Sequence, residues 1–262
     1  MFKKIGLLLI CLTFFGIGSA SADSTVRYRA TFTSTWSQAT HPHSSGSLPS
    51  SAHWSVLVGG THSDAVSFWD VGQFASTGIK DMAERGANAQ LRSEISAAIG
   101  MGSADAVHED DEILWDASGT LVMEFDVSSA FDRVTLVTMI APSPDWFTGV
   151  SGQPLRDEEG NWLDEVVVDL YPYDAGTDSG TDYRSPNAPT NPAQPIANGQ
   201  GAAPFSNEPL GTLTFTRLTL PMSVTISQSS ANTVPPLALL WVSLLLYALT
   251  AWLFWRARPM TL

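Results

Sequence analysis

Between Val26 and Trp36 apolar and polar residues alternate. Val26, Tyr28, Ala30 and Phe32 fall on one side, Arg27, Arg29, Thr31 and Thr33 on the other. A period of two is the pattern of a strand with one buried face. Similar β-branched and aromatic runs predict strands at Trp54–Val58, Thr120–Val127, Arg133–Ile140, Val166–Tyr171, Leu210–Leu218 and Ser223–Ser227. The period lengthens in one region, where Leu91, Ile95, Ala98 and Ile99 form a helical stripe. Asn88 stands at its capping position, and Gly100 and Gly102 end it. A weaker helical turn is expected within Phe74–Arg85. Many strands, turn-rich joints and little helix predict a mainly β chain, an antiparallel β-sandwich with one or two helical insertions. Arg184–Pro209, with six prolines, reads as a long irregular loop of the kind that is functional or mobile.

The two ends break this pattern. Lys3 and Lys4 precede an apolar stretch, Ile5–Gly18, and Ala20-Ser21-Ala22 offers a small-x-small cleavage site. Residues 1–22 therefore read as a signal peptide that directs export. Near the other end, Leu237–Trp255 carries no formal charge over 19 residues and is followed by Arg256 and Arg258. At a helical rise it would reach about 28 Å, close to the thickness of a bilayer core. Trp241, Trp252 and Trp255 suit interfacial positions, and the arginines favour the cytoplasmic side. The expected layout is a signal peptide (1–22), a domain (23–228), a stalk (229–236), a membrane-spanning segment (237–255) and a cytoplasmic tail (256–262). Val234-Pro235-Pro236 before the span also resembles a bacterial sorting signal, so a retained anchor and a processed one both stay open.

Charge then narrows the function. All 26 acidic residues lie in the body, against 13 − 4 = 9 basic ones once Lys3, Lys4, Arg256 and Arg258 are set aside, a balance of 9 − 26 = −17. A nucleic-acid binder carries the opposite sign. Cys11, in the signal peptide, is the single cysteine. The body has no disulfide, thiolate nucleophile or thiolate zinc site.

Two segments concentrate acids at predicted strand ends: Ala141-Pro-Ser-Pro-Asp145-Trp146-Phe-Thr-Gly149-Val150, and Asp174-Ala-Gly-Thr-Asp178-Ser-Gly180. Glycines at 176 and 180 permit positive φ and let carbonyls turn inward. Two aspartates four apart in such a turn can converge on one ion, and a third from a neighbouring loop can complete an oxygen cage suited to calcium. The spacing is not that of a helix-loop-helix calcium site, since Gly176 and Ser185 stand where ligands would be required. Aspartates that merely cap turns are the alternative.

The order of motifs adds a resemblance. Trp36 with His41-Pro42, Ala52-His53-Trp54-Ser55, Gly59-Gly60-Thr61-His62, Trp69 and Gly72 come first. Pro142-Ser-Pro-Asp-Trp146 with Gly149, Trp162, and Asp174-Ala-Gly-Thr-Asp-Ser-Gly180 follow. From about Val26 to Leu218 this series resembles a spondin-type domain. The resemblance implies a β-sandwich akin to calcium-dependent membrane-binding sandwiches. It also implies a calcium site whose ligands match Asp145, Asp174 and Asp178.

The expected function is a calcium-binding, extracytoplasmic cell-surface module for adhesion or ligand binding, with no enzymatic activity, no nucleic-acid partner and an unidentified extracellular or envelope ligand. One alternative is a metal-dependent hydrolase using His41, His43, His53 and His62. Another is a purely structural surface protein. A serine hydrolase is disfavoured by the lack of a Gly-x-Ser-x-Gly elbow. The acidic run His108–Glu112 with Asp116 is expected to be a solvated loop or a second, weaker cation site around Glu109–Asp111.

Overall fold

The computed structural model describes residues 24–218. The expected signal peptide, the Ser223–Ser227 strand, the stalk, the span at 237–255 and the tail lie outside the described residues. Among the described residues no helix is long and apolar enough to cross a membrane.

The strands of the described residues run in chain order as β1 (Thr25–Thr35), β2 (His53–Trp54), β3 (Val58–His62), β4 (Ala104–Glu109), β5 (Ser118–Ser128), β6 (Arg133–Ala141), β7 (Trp146–Pro154), β8 (Glu165–Leu170), β9 (Tyr173–Asp174), β10 (Ala197–Asn198) and β11 (Gly211–Leu218). Helices α1 (Thr77–Arg85) and α2 (Ala89–Gly100) fall between β3 and β4. One sheet has the order β5-β1-β11-β8, the other β10-β9-β7-β6-β3-β4 with β2 also paired to β6. Every pairing is antiparallel.

The alternation in β1 does what it predicts. Tyr28, Ala30 and Phe32 are fully buried. They meet Leu121 and Phe125 of β5, Leu213 and Phe215 of β11, and Leu136 and Ile140 of β6 in one core between the sheets. Each such large apolar side chain contributes roughly 1.5–3 kcal/mol by leaving water. Strand β6 carries no alternation because both of its faces are covered. Val134, Leu136 and Ile140 point into the sandwich, while Val137, Met139 and Ala141 belong to a second core with Ile79 and Met82 of α1 and Leu91 and Ile95 of α2. The two helices inserted between β3 and β4 thus cover the outer face of the larger sheet.

Several boundaries shift. The single strand expected at Trp54–Val58 is two, β2 and β3, and β3 continues through Gly59-Gly60-Thr61-His62. A Cβ on Gly59 would lie 1.8 Å from the Thr135 carbonyl oxygen, so β3 can approach β6 because that residue is glycine. Asn88 precedes α2 as expected but makes no side-chain cap, and its amide donates to Glu109 at 3.0 Å instead. The effective cap spans the two helices. Glu94 of α2 accepts from Ser76 Oγ at 2.7 Å and from the Gly78 N–H at 2.8 Å at the start of α1. The proline-rich stretch is pinned rather than loose, because Ile196 and Phe205 are buried and β10 pairs with β9.

Candidate metal centre

Strand pairing brings the two acidic motifs together. β7 pairs with β9 so that Trp146 faces Asp174 and Phe147 faces Tyr173. Asp145, one residue before β7, then stands beside the turn that follows β9, and its carbonyl accepts from the Ala175 N–H at 3.2 Å. That turn needs Gly176. Its φ is +72°, and a Cβ there would lie 2.1 Å from the Gln194 carbonyl oxygen. Gly180 is needed for a different reason from the one expected. Its φ lies outside the left-handed range, but a Cβ would sit 2.6 Å from Pro144 Cγ and 2.7 Å from Ser185 Cβ.

The turn wraps one oxygen of Asp145. Oδ2 accepts from the Thr177 N–H at 2.7 Å, the Asp178 N–H at 2.9 Å and the Thr177 hydroxyl at 3.2 Å. Asp174 accepts from the Gly176 N–H at 2.8 Å on Oδ1 and from the Trp146 indole N–H at 3.3 Å on Oδ2. Asp178 accepts from the Gly180 N–H at 2.8 Å on Oδ1 and from the Ala188 N–H at 2.7 Å on Oδ2. Asp145 is thus linked to Asp178 through the Asp178 amide, while the Asp174 carboxylate closes onto its own turn and the Trp146 indole. Among the described residues no group of three or more His, Cys, Asp or Glu side chains is gathered at metal-binding spacing. Thr177, Trp146 and Ala188 donate hydrogen bonds to these carboxylates, contacts that the sequence did not reveal. Thr177 and Trp146 lie inside the two motifs, whereas Ala188 carries no side-chain signal at all.

Six buried side-chain polar atoms among the described residues lack a hydrogen-bond partner, and one of them belongs to this site. Asp145 is 0% exposed, and its Oδ1 has no hydrogen-bond partner. Burial, and then the charge of Asp174, push its carboxyl up to about 6, against the pull of the Thr177 and Asp178 donors. A buried carboxylate oxygen without a donor, next to a second carboxylate, is a deficit that a cation would relieve. The other five carboxylate oxygens each hold N–H donors yet keep further lone-pair capacity. The donor set is all oxygen, the chemistry a hard cation such as calcium takes, although the three carboxylates are not gathered at metal-binding spacing. Asp145, Asp174 and Asp178 would hold it, and carbonyls or water would make up the six to eight oxygens such an ion takes.

The histidines do not assemble. His41 is fully buried and accepts from the Ser206 N–H on Nδ1 at 3.2 Å. His43 bridges Ser45 at 2.7 Å and Asp182 at 3.0 Å. His53 bonds the Ser51 carbonyl at 2.7 Å, and His62 bonds Ser63 and Thr135 at 2.7 and 2.8 Å. Each is occupied at a separate place, so no imidazole site is formed among the described residues. The acidic run is divided. His108 and Glu109 belong to β4, and Glu109 is held by Arg92 at 2.6 Å and by Asn88. Asp111, Glu112 and Asp116 are exposed.

Comparison with known proteins identifies the family. The family profile described as Spondin_N matches residues 26–209. Spondin-1 of Bos taurus and of Homo sapiens are each 38% identical over 190 residues, covering 67% of this chain and 22% of theirs. Spondin-2 of Homo sapiens is 36% identical over 228 residues, covering 84% of this chain and 68% of its own. The chain thus spans about a fifth of the length of the Spondin-1 proteins and about two thirds of Spondin-2. The profile match over residues 26–209, with relatives 36–38% identical, places this chain in the Spondin_N family.

Proposed function

We propose that the protein is a calcium-binding, non-enzymatic module displayed outside the cytoplasm. Asp145, Asp174 and Asp178 are its metal ligands. The observation that carries this reading is the buried, unpartnered Oδ1 of Asp145 beside the charge of Asp174. Such an arrangement raises the free energy of the metal-free fold at neutral pH, and a bound cation would lower it. Calcium would tie the turn after β6 to the turn after β9 and so stiffen one end of the sandwich, a common place for a recognition surface. Residues 1–22 would direct export, and 237–255 would tether the domain to a membrane unless processed. Adhesion or ligand binding through the stiffened end is the corresponding role.

Isothermal titration of calcium into the full-length chain tests this reading, with Asp145→Asn and Asp178→Asn alongside. Saturable binding by the wild type that both substitutions abolish is expected. A folded wild type that takes up no calcium would reduce the aspartates to turn caps. Unchanged binding by Asp178→Asn would remove that residue from the ligand set.

A further inference from the structure

The segment Asp110-Asp-Glu-Ile-Leu-Trp-Asp116 lies outside the candidate metal centre and meets the main core through Leu114. Leu114 is its anchor. The carbonyl of Leu114 accepts from the Trp54 N–H at 2.9 Å in an isolated antiparallel bridge, and its side chain packs on the sandwich core. Extended backbone sends neighbouring side chains to opposite sides, so with Leu114 inward its neighbours face water. Trp115 is 72% exposed and Ile113 37%. A tryptophan in water forgoes a large apolar burial, and aromatic residues in this position are enriched at the centres of protein interfaces.

The indole is also held in place. His53 stacks on it at 5.4 Å between ring centroids and 27° between planes. His53 is itself fixed by the Ser51 carbonyl at 2.7 Å and by the β2–β6 pairing. A ring already oriented loses little conformational freedom when a partner arrives. Around it, Asp111 and Glu112 line the same open depression of about 430 Å³ as Ile113 and Trp115, and Asp116 follows directly. Among the described residues none of these three carboxylates forms an ion pair. The unpaired charge that these side chains present is negative.

We propose that Ile113 and Trp115, rimmed by Asp111, Glu112 and Asp116, form a docking surface for a basic, amphipathic segment of another protein. Arginine or lysine would lie over the indole and against the carboxylates, and an apolar neighbour would cover Ile113. A lipid surface fits less well, because the same carboxylates would have to approach anionic headgroups.

The test is fluorescence anisotropy with the full-length chain, in chelator so that the metal centre does not contribute. The probes are a labelled peptide alternating arginine and leucine and its glutamate–leucine counterpart. Vesicles of phosphatidylcholine with phosphatidylserine are measured in parallel. The basic peptide is expected to bind saturably, less tightly as salt rises, and the acidic peptide not at all. Trp115→Ala should weaken binding about tenfold or more, and Asp111→Asn with Glu112→Gln should weaken it and flatten the salt dependence. The proposal is overturned if the basic peptide does not bind, if Trp115→Ala binds it unchanged, or if Trp115→Ala abolishes vesicle binding while peptide binding persists.

Discussion

Replacing Asp145 by asparagine should stabilise the metal-free protein at neutral pH while abolishing its response to calcium. In the folded chain the Asp145 carboxyl titrates at about 6, against an ordinary value of 3.8. Between those two pH values the folded chain holds a proton that the unfolded chain has released. Stability therefore falls as pH rises through that window, and the loss is complete above about pH 6. The difference corresponds to a penalty on the order of 3 kcal/mol, or roughly 6–12 °C in melting temperature for a domain of this size. Asparagine carries no charge, and its carbonyl oxygen can still accept from the Thr177 and Asp178 amides that Oδ2 now serves. Thermal melts in chelator at pH 7.5 should place Asp145→Asn several degrees above the wild type, with the gap closing near pH 4. Calcium at about a hundred times its dissociation constant should add roughly 2.7 kcal/mol to the wild type and nothing to the variant. A variant that melts below the wild type in chelator at pH 7.5 would refute the reasoning. It would mean that the charge-assisted bonds to Oδ2 outweigh the burial of an unpaired oxygen.

Three further outcomes are expected. Gly176→Ala should lower stability by about 3 kcal/mol or more, read by thermal melting, because the new Cβ would meet the Gln194 carbonyl oxygen at 2.1 Å with φ at +72°. Glu94→Ala should cost about 1–2 kcal/mol in denaturant titration, since it leaves Ser76 Oγ and the Gly78 N–H without their shared acceptor at the start of α1. Burial holds His108 down at about 4, where it stacks on Phe125 at 4.5 Å. The unfolded chain therefore gains a proton there below its ordinary 6.5 that the folded chain refuses, and stability should fall as pH drops from about 6.5 to 4. Melting curves across that range should show the slope reduced in His108→Gln.

Where one side of a segment meets the core and the other meets water, local pattern suffices. The alternation in β1 predicted Tyr28, Ala30 and Phe32 as the buried face, and each is fully buried. The stripe of Leu91, Ile95, Ala98 and Ile99 likewise marked the inner side of α2, with the first three buried and Ile99 half-buried. The two-sided strand β6 was still legible as a β-branched run, and the pattern failed where a strand is made by its neighbours. Gly59-Gly60 has no strand propensity, and β3 exists because β4 and β6 bracket it. β9 and β10 are two residues each and depend on pairing.

By itself the sequence determined the sandwich class, the two acidic motifs and the glycine that one of their turns demands, because side-chain period and backbone sterics are local properties. It also determined the net acidity of the body and the absence of cysteine from it. Tertiary structure alone decided that β7 pairs with β9, which sets Asp145 against the turn after Asp174 and strands one of its oxygens in a place without donors. The same folding dispersed the histidines, divided the acidic run, and turned Trp115 outward by turning Leu114 in. These depend on distances between residues far apart in the chain, and only the packed sheets supply them.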